Sequence, residues 1–330
     1  MEGLLPPRAI SQLRRALLRW YDTHRRDLPW RRTANPYPIW VSEIMLQQTR
    51  VAAVLEHYAR WMHRFPTVQV LAKAREQSVL ALWSGLGYYH RARRLHQAAK
   101  VIVRERKGEF PRTAEGWREL PGIGRYTAAA IASIALGEPV AVVDGNVERV
   151  LDRMFGPSAS RERNWQRAEA LLDRARPGDF NQAMMELGAT ICTPRAPQCL
   201  ICPLKRWCQA RGAGIANPQP ARKRRQLHYG FACDGGSVLL VQRPQAARRM
   251  AGMWELPELP ELPAAPGEEP LDTFRHSITD TDYEVAVHHA PETLIQSLNS
   301  TARWFSRKQW KNMALTGLTR KVLRKLASAT

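Results

Sequence analysis

Four of the five cysteines fall in one stretch, "CTPRAPQCLICPLKRWC", and this cluster restricts the fold more than any other feature of the chain. Cys192, Cys199, Cys202 and Cys208 stand in the pattern C-x6-C-x2-C-x5-C, while Cys233 stands apart. With no secretory signal in evidence, the cluster reads as a metal site sooner than as disulfides. Four thiolates suit a tetrahedral zinc ion or a [4Fe–4S] cube. The spacing lacks the two paired knuckles of a zinc ribbon, which favours iron–sulfur and leaves zinc open.

The N-terminal "MEGLLPPRAISQLRRALLRW" is interrupted by Pro6 and Pro7 and studded with arginine, so it has no signal-peptide core. The longest apolar run, "YTAAAIASIAL" at 126–136, is too short to cross a bilayer. A soluble intracellular chain with no membrane partner is expected. Its 330 residues suffice for two or three modest domains. The charge is unusual: 50 Lys and Arg against 30 Asp and Glu give +20. Such a surplus favours a polyanionic partner, because neutralising phosphates releases condensed counterions.

From residue 8 to about 211 the periodicity is helical nearly throughout, with no convincing strand. Ile44, Val51, Leu55, Tyr58 and Met62 recur at helical steps. They predict a helix starting at Ser42 as N-cap, with Glu43 in its first turn. "SVLALW", "YHRARRLHQAAKVIVRER" and "WQRAEALLDRAR" predict further helices. The segment 212–228, rich in Gly, Pro and charge, reads as a linker. Residues 229–330 then read as a smaller α+β domain. It has a hairpin at Asp234-Gly235-Gly236, a strand at "YEVAVHH" and a helical end, "RKQWKNMALTGLTRKVLRKL".

Three further stretches carry chemistry. In "LPGIGRYTAAAIAS", Gly122 and Gly124 allow a tight turn before a new helix, whose first backbone amides form a phosphate cradle. The same stretch can also be an ordinary turn between helices. In "VVDGNVERVLDRMF", Asp144 ends an apolar run and starts a helix, the common setting of an N-cap. In "WVSEIMLQQT", Glu43 sits among apolar neighbours that disfavour its ionised form and suit a proton donor.

Taken in order, "LPGIGRYT", "VVDGNVERV" and the cysteine cluster resemble the iron–sulfur helix-hairpin-helix DNA glycosylases related to endonuclease III. "WVSEIMLQQT", "GLGYY" and "FNQAMMELGA" narrow the resemblance to the MutY-type adenine DNA glycosylases, over roughly the first 210 residues. The resemblance implies a mainly α N-terminal glycosylase over 1–211, with helix-hairpin-helix and iron–sulfur lobes, and a Nudix-like recognition domain over 229–330. It implies one [4Fe–4S] cluster on the four cysteines. It also implies a monomer acting on double-stranded DNA with adenine opposite 8-oxoguanine or guanine, in the cytoplasm at the nucleoid.

Residue by residue, Glu43 matches the catalytic acid and Asp144 the carboxylate that stabilises the cationic sugar, with Tyr126 and Asn146 as polar support. Bifunctional relatives carry a lysine where Tyr126 stands, so a monofunctional enzyme that leaves an abasic site is implied. Gln48 and Tyr88 match the residues that wedge the base stack. Arg26, Trp30 and Gln182 match the adenine pocket. For Trp30 and Tyr88 core packing is the alternative. In the C-terminal domain Gly252 and Glu258 have the first spacing of a Nudix box, but no Arg-Glu-x-x-Glu-Glu follows, which leaves a recognition role. The family's recognition loop reads Phe-Ser-His; here it is Phe274-Arg275-His276, and His276 keeps the match. Two other readings are a thymine-mismatch glycosylase of the same superfamily and a non-catalytic DNA-binding protein.

Overall fold

The structure is a computed structural model that describes residues 5–211, 222–247, 250–259, 269–278, 280–298 and 301–326. The first part of the expected linker, 212–221, lies outside the described residues. Two compact units emerge: one comprises 1–72 and 97–218, the other 73–96 and 219–330. This division differs from the expected one, because residues 73–96 join the C-terminal unit. Among the described residues no helix is long and apolar enough to cross a membrane.

Helices follow in the order α1 (Pro7–His24), α2 (Pro36–Leu46), α3 (Val51–Arg64), α4 (Val68–Lys73), α5 (Glu76–Trp83) and α6 (His90–Glu105). Then come α7 (Ala114–Arg118), α8 (Arg125–Leu136), α9 (Gly145–Phe155), α10 (Arg161–Leu171) and α11 (Pro177–Thr190). The helix expected to start at Ser42 is instead two helices. Asn35 caps α2 by accepting from the Tyr37 N–H, and Pro36 supplies the first-turn φ. Ser42 lies buried inside α2, its hydroxyl donating to the Ile39 carbonyl at 2.7 Å. Glu43 is therefore near the end of a helix rather than in its first turn. Gln48, at φ +55°, turns the chain into α3. Ile44 and Val51 kept helical spacing across that turn, which hid it.

In the first unit Leu13, Leu17 and Tyr21 of α1 are buried with Val147 and Leu151 of α9, Leu171 of α10 and Phe180 of α11. An aromatic layer sits under α2: Trp40 meets Trp117 edge-on, and the Tyr37 hydroxyl donates to the Phe65 carbonyl at 2.7 Å. Helix α11 is seated closely at both ends. A Cβ on Gly178 would stand 2.6 Å from the Ser133 carbonyl oxygen of α8, and one on Gly188 2.6 Å from Asn146 Cβ of α9.

The second unit carries the strands. One sheet orders β5 (Glu258–Leu259), β1 (Lys223–Phe231), β7 (Thr281–His289) and β6 (Asp272–Ile278). Its β1–β7 pair is parallel and the others antiparallel. The other sheet joins β2 (Cys233–Asp234), β3 (Ser237–Gln242), β4 (Trp254–Glu255) and β8 (Ala302–Ser306). The terminal segment expected to be helical forms α13 (Arg307–Trp310) and α14 (Gly317–Leu326), while α12 (Glu292–Ser297) precedes β8.

Residues 73–96 join this unit through Leu315, whose carbonyl accepts from Ser84 Oγ at 2.8 Å and the Tyr89 hydroxyl at 3.2 Å. Arg320 Nε in turn donates to Ser84 Oγ at 2.9 Å.

Candidate active site

The turn between α7 and α8 places Gly122 at φ +80°, where a side chain is strained, and ends at Gly124 as N-cap. No side chain caps α8, so its first amides stay available to an anion. A Cβ on Gly124 would meet nothing within 4 Å. Arg125, next in line, stacks its guanidinium 4.0 Å over the Trp165 ring and pairs with Glu162 at 2.6 Å.

Beside this helix start lies a cavity of about 960 Å³, lined among others by Gln48, Gly124, Tyr126, Asp144 and Asn146. Asp144 caps α9. Its Oδ1 accepts from the N–H groups of Asn146 at 2.9 Å and Val147 at 2.7 Å, and its Oδ2 accepts from Asn146 Nδ2 at 2.9 Å. The capping reading therefore holds, and the helix N-terminus also favours a negative charge there. Asn146 Oδ1 accepts from Arg149 Nη2 at 2.9 Å.

Glu43 stands behind Tyr126, only 5% exposed. Its Oε2 accepts from the Tyr126 hydroxyl at 2.8 Å, and the same hydroxyl lies 3.5 Å from Met185 Sδ. Burial pushes the Glu43 carboxyl up to about 7. The Tyr126 bond opposes that shift, the charge of Asp144 adds to it, and Arg31 opposes it again. Burial, with Glu43 and Asp144 close by, pushes the Tyr126 phenol well above its ordinary value.

Arg26, Trp30 and Gln182 do not line this cavity. Arg26 grips Glu186 with two bonds of 2.7 Å, and Arg31 reaches the same carboxylate at 2.9 Å. Arg31 also donates to Gln182 Oε1 at 3.1 Å. Burial opposes ionisation of Glu186, but the two arginines outweigh it and hold the carboxyl near 2. Trp30 is 5% exposed and packs edge-on against Tyr58. Nothing local in the sequence marks Arg31, next to Trp30, or Glu186, within "FNQAMMELGA", as partners. A paired buried acid looks like any other acid until its partners are known.

Tyr88 and His276 belong to the second unit. Tyr88 takes φ +47°, with the Arg91 guanidinium 5.3 Å from its ring. Phe274, Arg275 and His276 form part of β6, not a loop, paired against Val285, Glu284 and Tyr283 of β7. The pleat turns exposed Arg275 away from Phe274 and His276. Burial, with Lys321 nearby, lowers the His276 imidazole from its usual value.

The four clustered cysteines line one small cavity with Arg153 and Lys205. Arg153 Nη1 donates to Cys192 Sγ at 3.2 Å, and its carbonyl accepts from Cys208 Sγ at 3.3 Å. Among the described residues no three His, Cys, Asp or Glu side chains close on a single ion. Four thiols round a shared space are a donor set that a metal ion or a metal cluster would accept. Burial pushes the Cys202 thiol up to about 11.

A family model described as HhH-GPD superfamily base excision DNA repair protein matches residues 41–174, which contain Glu43, Tyr126 and Asp144. The adenine DNA glycosylase of Rattus norvegicus is 38% identical, the alignment covering 94% of this chain and 72% of the relative. That of Homo sapiens is 37% identical, covering 96% and 74%. Among solved structures, a thermostable thymine-DNA glycosylase aligns with TM-score 0.58 at 30% identity, over 62% of this chain and 97% of the other. A non-covalent endonuclease III–DNA complex aligns with TM-score 0.55 at 22% identity, over 63% and 97%, a likeness of fold.

Proposed function

Because this chain belongs to the adenine DNA glycosylase family, we propose that it removes adenine opposite 8-oxoguanine or guanine, with Glu43 and Asp144 dividing the chemistry. Adenine excision in base excision repair is the activity of the family and of this chain. The adenine-specific relatives align over nearly all of it, the thymine-specific structure over 62%.

One observation carries the division of roles. A buried carboxyl held near 7 by its surroundings is bonded to Tyr126, which walls a cavity that Asp144 also lines. The target adenine must leave the duplex stack to reach such a cavity. Protonated Glu43 gives its proton to the base, and the glycosidic electron pair leaves with it. The sugar becomes oxocarbenium-like, and the Asp144 carboxylate, fixed by three N–H donors, stabilises it. Water then adds to the sugar and releases a proton to solvent, from which Glu43 is reprotonated. Tyr126 stands where an amine nucleophile would be needed for strand cutting, so the product is an abasic site.

In this reading Gln48, exposed at the cavity rim, and Tyr88 fill the vacated stack. Arg26 and Gln182 shape the adenine pocket through the Glu186–Arg31 network, and Trp30 supports it by packing. The α8 amides after Gly124 hold phosphate. Cys192, Cys199, Cys202 and Cys208 hold one [4Fe–4S] cluster. Its metal–thiolate bonds would crosslink residues 192–208, the segment that carries Lys205 and Arg206.

The Nudix-like recognition domain follows the glycosylase in the chain; its first strand already starts at Lys223, and residues 73–96 group with it. His276 contacts the base opposite adenine, with exposed Arg275 as an added cation on the other face of β6. The protein acts as a monomer.

Single-turnover base release from duplexes with adenine opposite 8-oxoguanine, guanine or thymine tests this, read with and without alkali. Fast release opposite the first two, with strand breaks only after alkali, is expected. Breaks without alkali would overturn the monofunctional assignment, and equal rates opposite thymine the mispair assignment.

A further inference from the structure

Between α8 and α9 the chain crosses the interior as part of no helix or strand. Ala141, Val142 and Val143 are 3%, 1% and 0% exposed, so their backbone groups cannot turn to water. Two side chains answer them. Glu169 of α10 accepts from the Ala141 N–H through Oε2 at 3.1 Å. Asn181 of α11 accepts from the Val142 N–H through Oδ1 at 3.2 Å and donates from Nδ2 to the Val140 carbonyl at 2.8 Å. The second Nδ2 hydrogen goes to Ser133 Oγ at 2.9 Å.

In a parallel sheet, one residue bonds the carbonyl and the N–H of the two residues that flank its opposite number. The Asn181 carboxamide makes that pair of bonds to Val140 and Val142, on either side of Ala141. Its orientation is unambiguous, because the Val142 N–H only donates and the Val140 carbonyl only accepts. Two residues further on stands Asp144. The close seating of Gly178 on α8 and Gly188 on Asn146 fixes the helix that carries Asn181.

We infer that Asn181 is a positioning residue for Asp144: its carboxamide replaces a missing strand partner and sets where the carboxylate meets the substrate. This rests on the reading of Asp144 as the cation-stabilising group. Asn181 is 3% exposed and is not among the residues that line the cavity, so it acts through the 140–143 segment. Displacing a reacting group by roughly an ångström costs on the order of 100-fold in rate.

The test compares wild type, Asn181→Leu, Asn181→Asp and Asp144→Asn in single-turnover release of adenine, each with the rate constant and the amplitude reported separately. Affinity is read with a duplex whose adenosine resists cleavage. Asn181→Leu removes both bonds to the segment, while Asn181→Asp keeps the acceptor for Val142 and loses the donor to Val140. The expected rate constants fall in the order wild type, Asp, Leu. The Leu variant is slower by about 10- to 100-fold and its duplex affinity stays within about twofold.

A merely structural asparagine would lower the amplitude, as protein unfolds, and leave the rate constant of the remainder unchanged. That result overturns the inference. Should the Leu variant not fold, the Asp variant decides by the same criterion. Normal release by Asp144→Asn would instead overturn the reading of Asp144 itself, whatever the Asn181 variants do.

Discussion

The phenol of Tyr126 donates to Glu43 Oε2 at 2.8 Å, tying together side chains 83 positions apart at the wall of the cavity. The bond stabilises the ionised form of Glu43, yet burial wins and keeps the carboxyl near 7. An acid poised there is half loaded with its proton at neutral pH.

The rate constant for adenine release is therefore expected to be level below about pH 7 and to fall about tenfold per unit above it. Glu43→Gln should abolish release and leave duplex affinity nearly intact. Single-turnover rates across pH 5 to 9 check this, on the order of that span; a rate rising above neutrality would assign Glu43 as a base instead. The same carboxyl has a stability signature. Its folded value lies above its ordinary 4.5, so the unfolded chain sheds the proton first, and folding weakens as pH rises from 4.5 to about 7.

Tyr126→Phe removes a donor that favours the Glu43 carboxylate. The alkaline fall in rate is expected to move to higher pH, visible in the same profile. A shift to lower pH would mean that Tyr126 acts on the sugar side of the reaction rather than on Glu43.

Glu186 bears on stability with the opposite sign. Its folded value, near 2, lies below the ordinary 4.5, so its contribution is present above 4.5 and lost as pH falls toward 2. Glu186→Gln leaves Arg31 and Arg26 without their buried counter-charge, and a loss of about 3 kcal/mol is expected at neutral pH. Urea unfolding measures it, and the gap to wild type should narrow as pH is lowered. A gap constant with pH would mean that packing, not charge, is what Glu186 supplies.

How far the sequence could be read depended on whether a residue's partners lay nearby. Asp144 caps the helix that starts at the next residue, and its motif shows that. The apolar setting of Glu43 is visible in its immediate neighbours, but the helix start is not, because Asn35-Pro36 outranks Ser42 from seven residues away. Glu186 was unreadable: its partner Arg31 lies 155 positions earlier. The grouping of 73–96 with the C-terminal strands left no local mark either, since it depends on Leu315.

Gly124→Val places a branched side chain where a Cβ meets nothing within 4 Å, at a φ of −91° that any residue adopts. Thermal stability should fall only modestly, by the N-cap preference for Gly over Val, while duplex affinity drops about tenfold or more because the α8 amides are covered. Titration by fluorescence anisotropy at fixed salt reads this. Undiminished affinity would return the turn to the status of a plain helix connection.

The purified protein is expected to be brown, with about four irons per chain. Replacing Cys202 with alanine should bleach it and lower iron together with folded yield. A colourless protein bearing one zinc would replace the cluster by a single ion. Metal analysis and visible absorption decide.

Synthesis runs from the N-terminus, so Ser84 and Tyr89 leave the ribosome long before the carbonyl that receives their hydroxyl protons. Leu315 follows them by 231 and 226 residues. The unit containing residues 73–96 thus closes only when almost the whole chain has been made, whereas early segments elsewhere can begin to fold during translation. A stop codon anywhere between residues 219 and 315 does more than trim the tail: it strands polar groups in a segment that was translated intact.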